Sequence, residues 1–243
     1  MKPIRILVVG DVYGNHEVVT NAITEFTKGD YDKLIFLGNY ASSISRSDED
    51  ILRCFRIISD AKLDMGDDVI ALLGKHDIQY YEENNDRIRC IGYRPTLYVQ
   101  LHHYLMNHRD EFNHAYSIGN YLMTSAGITQ AWYMKHHNTL EKWCNICDFN
   151  VGSDSFIGNL LNGVAKTQDA PILYEHDGPL WCRKSLLLTE PMNQVDQIVG
   201  HTSTKYITKY KLFGENQKID NTSVTFVNAV SNKNKFLKLT IDA

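Results

Sequence analysis

The sequence has few of the features that mark membrane, fibrous or disordered proteins. Its 243 residues include only five prolines, and no internal repeat, low-complexity block or Pro- or Gly-rich linker divides them. No apolar run approaches the roughly 18 residues that a membrane-spanning helix needs. Hydrophobic residues make up 43% of the chain and charged residues 22%, a balance typical of globular proteins rather than disordered ones. We therefore predict a single domain over residues 1–243 that does not enter a membrane.

The sequence also lacks a basic excess and a disulfide framework. Its formal net charge is -4, which argues against broad nucleic-acid binding because such binding normally needs a basic surface. The five cysteines are odd in number and irregularly spaced. Residues 1–3 lead into an apolar run without the layout of a signal peptide. Together these features predict a cytoplasmic protein with free thiols.

Four short apolar runs, each followed by a glycine and a polar residue, carry most of the information. Each run is typical of a buried strand, and the glycine lets the chain turn sharply where the strand ends. Sites in open α/β sheets form at the carboxyl ends of the strands, so we expect the polar residues to lie in one place. The runs are residues 4–9, 34–37, 69–73 and 198–199, and the polar residues after them are Asp11, Asn39, Lys75, His76, Asp77 and His201.

Between the first three runs the pattern changes to that of a helix. Residues 15–28 and 48–61 repeat apolar side chains at intervals of three and four, so strand and helix alternate and a mostly parallel half-sheet is expected. Further predicted helices form a helical elaboration at about 96–165, and predicted strands follow at 206–207, 223–230 and 236–241. The predicted fold class is α/β, or α+β, with two sheets packed face to face and helices outside.

Six segments, taken in order, carry a resemblance to a known family. They are residues 10–14 (GDVYG), 38–43 (GNYASS), 74–77 (GKHD), 125–127 (SAG), 178–183 (GPLWCR) and 200–202 (GHT). They resemble the motifs GDxHG, GDxxDRG, GNHE or GNHD, HGG, PLWxR and GHT of calcineurin-like metallophosphoesterases, in particular the bacterial and phage serine/threonine phosphoprotein phosphatase branch. The resemblance implies a four-layer αββα sandwich of two mixed β-sheets flanked by helices. It also implies phosphoester hydrolysis by two divalent metals, commonly Mn, Fe or Zn.

The positions that hold these two metals in the family are largely changed here. Asp11 and His201 match ligands, and Asn39 replaces the bridging carboxylate with an amide. The other ligand positions, and the arginine after the second motif, are changed to Tyr13, Lys75, Ser125 and Ser43. An ammonium about 4 Å from a divalent ion costs several kcal/mol even at an effective dielectric near 20. We therefore expect the two-metal site to be lost, because it needs both ions as Lewis acids.

Two pairs of interpretations stay open for the residues after the third strand. The ammonium of Lys75 takes the vacated metal position, pairing with Asp11 and bonding Asn39, since a buried carboxylate without a cation is costly; the alternative is neutral drift at a dispensable site. His76 and Asp77 match the family's general-acid dyad, here vestigial. The alternative is that both persist because they pack and form hydrogen bonds at the strand end.

Two functions follow from the resemblance and its departures. The first is a pseudophosphatase without a cofactor, a binding or regulatory module whose partner is a protein or a phosphorylated ligand. Arg183, which matches a phosphate-binding arginine, would then form an anion-receptive pocket with Lys75 and His201. The alternative is a residual phosphoesterase with a single Mn, Fe or Zn on Asp11, Asn39 and His201, acting on phosphomonoesters or phosphoproteins. The 19 asparagines suggest an AT-rich coding sequence, which would suit a phage protein in the host cytoplasm.

Overall fold

A computed structural model describes residues 3–81, 88–146, 156–167, 170–212, 222–228 and 236–241. The chain forms two compact units: unit 1 is Met1–Asn113 with Ala229–Ala243, and unit 2 is His114–Asn228. The elements are, in chain order, β1 (Ile4–Val9), α1 (His16–Phe26), β2 (Lys33–Phe36), α2 (Asp48–Met65), β3 (Val69–Leu72), α3 (Lys75–Ile78), α4 (Tyr98–Asn107), β4 (Phe112–Asn113), β5 (Ala115–Ile118), β6 (Tyr121–Thr124), α5 (Gln130–Ile146), α6 (Phe156–Val164), α7 (Lys184–Thr189), β7 (Asp196–Val199), β8 (Thr208–Leu212), β9 (Thr222–Phe226) and β10 (Leu237–Ile241).

Unit 1 contains a five-stranded mixed sheet in the order β10-β1-β2-β3-β4. Its first four strands in sequence are parallel to one another, and β10 pairs antiparallel with β1. Most side chains of β1, β2 and β3 are buried. Continuous apolar runs suit these strands, because parallel strands are covered on both faces of the sheet. The helices α1 and α2 pack against strands of this sheet. A capping box between Ser47 and Asp50 fixes the start of α2.

Unit 2 contains a second five-stranded mixed sheet, in the order β5-β6-β7-β9-β8. The strands β5 and β6 form an antiparallel pair, β7 lies parallel to both β6 and β9, and β8 runs antiparallel to β9. The helix α6 packs against β5 and β6, and it also contacts α5. One core cluster of this unit joins the sheet to α7 through the buried side chains of Ala126, Cys182, Leu187, Val199, Val224 and Phe226.

The predicted fold class is confirmed, because two mixed sheets are flanked by helices. The predicted elaboration at 96–165 is wrong in part: it contains the strands β4, β5 and β6 between α4 and α5. The strand predicted at 206–207 is also wrong, since β8 begins at Thr208. Part of the strand predicted at 223–230 lies outside the described residues. The single-domain organisation over 1–243 stays a prediction.

None of the helices within the described ranges is both long enough and apolar enough to cross a lipid bilayer.

Candidate functional site

In unit 1, the loops after β2 and β3 meet at the carboxyl ends of neighbouring parallel strands. A Cβ atom on Gly38 would lie 2.5 Å from the backbone nitrogen of Gly74, and one on Gly74 would lie 2.2 Å from Oδ1 of Asn39. The two loops therefore touch backbone to backbone, which only glycines allow at this distance. The backbone N–H of Tyr13, in the loop after β1, donates to the carbonyl of Asn39 at 2.8 Å. Three loops of predicted site residues are thus brought together within unit 1.

The carboxylate of Asp77 ties the β2 and β3 loops to each other. It is fully buried, and each oxygen accepts two backbone N–H groups: Oδ2 from Asn39 at 2.7 Å and Gly74 at 2.8 Å, Oδ1 from Tyr40 at 2.7 Å and Ala41 at 2.9 Å. Burial raises the pKa of Asp77 to about 7, and the four N–H donors act against that rise. These bonds favour the interpretation that Asp77 holds the strand ends together; the vestigial dyad with His76 stays a prediction.

The carboxylate of Asp11 accepts a hydrogen bond from Tyr13, the residue at the first-motif histidine position. The two oxygens, Oη of Tyr13 and Oδ2 of Asp11, are 2.8 Å apart, and Asp11 is only 2% exposed. Burial, and then the negative charge of Asp11, raise the pKa of Tyr13 well above its ordinary value. Tyr13 is therefore a neutral donor. Its ring lies edge-on to that of His76, with the centroids 5.5 Å apart.

Asn39 and Lys75 occupy the positions where the resemblance places two further ligands. Asn39 is fully buried, and its Oδ1 accepts the backbone N–H of His76 at 3.2 Å. Its backbone φ is +56°, an angle that residues other than glycine adopt where the surrounding structure holds them. Lys75 is half-buried at the start of α3.

Two further residues of unit 1 that the sequence did not single out contact this region. The Sγ of Cys90 lies 3.6 Å from the carbonyl of Lys75, and burial raises the pKa of that thiol to about 11 against the opposing charge of Lys75. Arg94 donates to the carbonyls of Ser43 and Arg46 at 2.6 Å each, and so it fixes the loop where the family has its own arginine. No motif marks Cys90 or Arg94, because both lie outside the six motif segments.

In unit 2, backbone hydrogen bonds join the three remaining motif segments. The N–H of Gly200 donates to the carbonyl of Ser125 at 3.0 Å, and the N–H of Ala126 donates to the carbonyl of Pro179 at 2.8 Å. His201 has a φ of +55°, again outside the usual range. The side chain of Arg183, just before α7, is exposed and has no partner among the described residues. Within unit 2 the structure thus joins the segments of Ser125 and His201 directly, and the segment that ends at Arg183 is attached through Pro179.

The donor set of unit 1 does not fit the two divalent metals that the resemblance implies. The one carboxylate at the ligand positions, Asp11, accepts a hydrogen bond from a neutral phenol, the amide oxygen of Asn39 accepts one from a backbone N–H, and Lys75 adds a positive charge. Divalent ions bind deprotonated or lone-pair donors directed at one point, with net negative charge for hard cations. Within the described ranges, no group of three or more His, Cys, Asp or Glu side chains is arranged to hold a metal ion.

Comparison with known proteins identifies the family. The family model for calcineurin-like phosphoesterases matches residues 4–207. A protein serine/threonine phosphatase from Saccharomyces cerevisiae with similarity to human phosphatase PP5 is 12% identical, with a TM-score of 0.49, covering 99% of this chain and 80% of that one. A metallophosphoesterase from Sphaerobacter thermophilus is 11% identical, with a TM-score of 0.47, covering 93% and 76%. No curated protein sequence matches the chain. Because the family model covers most of its length, this chain belongs to the calcineurin-like phosphoesterases.

Proposed function

We propose that this protein is a pseudophosphatase, in which a calcineurin-like phosphoesterase fold with an impaired hydrolytic site acts as a binding or regulatory module. The observation that carries the proposal is the hydrogen bond from the Tyr13 hydroxyl to Asp11, at 2.8 Å. It engages, with a neutral donor, the one carboxylate that remains at the metal-ligand positions of unit 1. Water activation by metals requires that such carboxylates face the ions instead.

The chemistry of the remaining motif residues supports an anionic ligand rather than a hydrolysed substrate. Arg183 presents an exposed guanidinium without a partner among the described residues, and a guanidinium binds carboxylate or phosphate oxygens in a bidentate geometry. The class of partner that we propose is therefore a phosphorylated ligand or a protein that carries one. A phage origin and a place in the host cytoplasm belong to the same proposal.

A second candidate function is a residual phosphoesterase that holds a single Mn, Fe or Zn ion with Asp11 and Asn39 among its ligands. Both side chains are buried after neighbouring parallel strands, and Asn39 keeps a left-handed backbone. Strained backbone of this kind is frequent at functional sites, and this observation supports the residual phosphoesterase as the second candidate.

Metal analysis combined with a hydrolysis assay separates the two functions. We expect the purified protein to contain much less than one equivalent of metal, and to hydrolyse an aryl phosphate no faster with added Mn²⁺ than Asp11→Ala does. The reason is that Oδ2 of Asp11 and Oδ1 of Asn39 already accept hydrogen bonds from other donors. Elemental analysis by mass spectrometry and release of nitrophenol are the two measurements. Stoichiometric metal together with hydrolysis that Asp11→Ala abolishes would show the second function instead.

The predicted pairing of the Lys75 ammonium with Asp11 has its own test. We expect Lys75→Ala to lower the free energy of unfolding by about 1.5–3 kcal/mol, the usual range for a hydrogen bond to a charged group. Denaturation in urea, followed by circular dichroism, measures the change. Lys209→Ala on β8 is the matched control, because that lysine is exposed and has no partner among the described residues. If both variants are as stable as the wild type, the ion pair is not formed and neutral drift explains Lys75.

A further inference from the structure

We propose that the Tyr13 hydroxyl replaces a metal ion at Asp11: it satisfies the buried carboxylate and closes it to divalent cations. The folded state then needs no metal. The inference rests on the proposed loss of metal-dependent hydrolysis and names the residue that makes the loss structurally possible.

The first step of the argument is the energy of an isolated carboxylate. Asp11 is 2% exposed, and a buried carboxylate without a bonded partner is costly. In a two-metal enzyme the cations remove that cost. Here a phenol O–H donates to Oδ2 at 2.8 Å, a normal distance for a hydrogen bond between oxygens, and bonds to a charged acceptor are the stronger ones.

The second step is that this hydroxyl cannot easily move away to admit an ion. The N–H of Tyr13 donates to the carbonyl of Asn39 at 2.8 Å, and the N–H of Gly14 donates to the carbonyl of Tyr40 at 2.9 Å. The loop after β1 is thus attached to the loop after β2 on both sides of the ring-bearing residue. Tyr13 itself has a φ of +47°, which persists only where neighbouring contacts impose it.

The third step concerns the position of the phenol ring. Its centroid lies 5.5 Å from that of His76, at an interplanar angle of 75°, and aromatic rings in this edge-to-face arrangement attract each other. The side chain of Tyr13 is therefore held at its ring as well as through its backbone, and its hydroxyl stays at Oδ2 of Asp11.

Thermal unfolding of two tyrosine variants tests the bond. Tyr13→Phe deletes only the hydroxyl, and we expect its Tm to fall by about 5 °C. This value combines the usual free energy of a hydrogen bond to a charged group with the change in Tm per kcal/mol that is typical of a chain of this length. Tyr40→Phe is the matched control: Tyr40 is fully buried, and its hydroxyl has no hydrogen-bond partner among the described residues. We expect its Tm to stay unchanged or to rise. A Tyr13→Phe variant as stable as the wild type overturns the proposal.

Metal-dependent stabilisation tests the closure of Asp11. The Tm of the wild type is expected to be the same in 1 mM EDTA and in 1 mM Mn²⁺, because an ion that binds only the folded state must raise Tm. A double and a triple variant isolate the effect of Tyr13. The double variant, Asn39→Asp with Lys75→Asn, supplies oxygen ligands and removes the ammonium, and the triple variant adds Tyr13→His. We expect only the triple variant to gain a Tm rise with Mn²⁺ that EDTA reverses.

The outcomes separate this inference from the proposed function. A wild-type Tm that rises with Mn²⁺ overturns the inference, as does an equal Mn²⁺ response in the double and triple variants. A triple variant that folds without any response overturns it too. The proposed function is contradicted by a different measurement, namely Mn²⁺-dependent hydrolysis by the wild type. A protein without hydrolysis in which Tyr13→Phe costs nothing would leave the pseudophosphatase in place and remove only the role of Tyr13.

Discussion

Asp77→Asn is expected to lower the free energy of unfolding by about 3–5 kcal/mol, the usual cost of breaking a buried charged network. The aspartate accepts four backbone N–H groups, two on each oxygen. Asparagine has nearly the same shape but places an NH₂ group at one of these positions. Two N–H donors would then face another donor in a fully buried site, and buried donors without acceptors are costly. Urea denaturation followed by circular dichroism measures the loss.

The control for this variant is Asp30→Asn. Asp30 is exposed in the turn after α1, and its side chain has no hydrogen-bond partner among the described residues, so the same chemical change there is expected to alter stability by less than about 0.5 kcal/mol. An Asp77→Asn variant within 1 kcal/mol of the wild type would mean that the four N–H groups find other acceptors. It would also return Asp77 to the role of a vestigial acid, with no part in holding the loops.

The sequence predicts the first half of the fold well because its strands and helices carry strong local patterns. The runs that become β1, β2 and β3 are buried along most of their length, and α2 begins at the acidic turn where it was expected. The sequence does not predict β4, β5 and β6, because β4 has only two residues and because β5 and β6 mix polar with apolar residues instead of forming a continuous apolar run. Such strands are stabilised by their cross-strand partners rather than by a pattern of their own.

The site is predictable in position but not in its bonds. Motif order places Asn39 and Asp77 after neighbouring strands, and parallel pairing then brings them together. The donors that reach Asp77 and Asp11 depend on loop geometry, which no residue spacing reveals. The role of Tyr13 shows this: from the sequence it is a lost histidine, whereas in the structure its hydroxyl reaches Asp11. A substitution that removes a ligand can thus supply the bond that makes the ligand unnecessary.

The second large effect is expected for Gly38→Ala, at the point where the β2 loop touches the β3 loop. Gly38 has a φ of +99°, and an added Cβ would lie 2.5 Å from the nitrogen of Gly74 and 2.8 Å from the carbonyl carbon of Leu73. These are backbone atoms at a strand end, so they cannot rotate away as a side chain would. We expect a loss of about 3–5 kcal/mol in the free energy of unfolding, from overpacking together with the unfavourable φ.

Gly29→Ala separates the two parts of that loss. Gly29 has a similar φ of +85°, but nothing lies within 4 Å of its added Cβ, so this variant measures the backbone cost alone, about 1–2 kcal/mol. The excess in Gly38→Ala then measures how tightly the two loops are pressed together. The N–H groups of Asn39 and Gly74 converge on Asp77 from these loops, so forcing the loops apart also weakens that cluster. Equal losses in the two variants would show that the loops can separate without cost, and the cluster around Asp77 would then not be rigid.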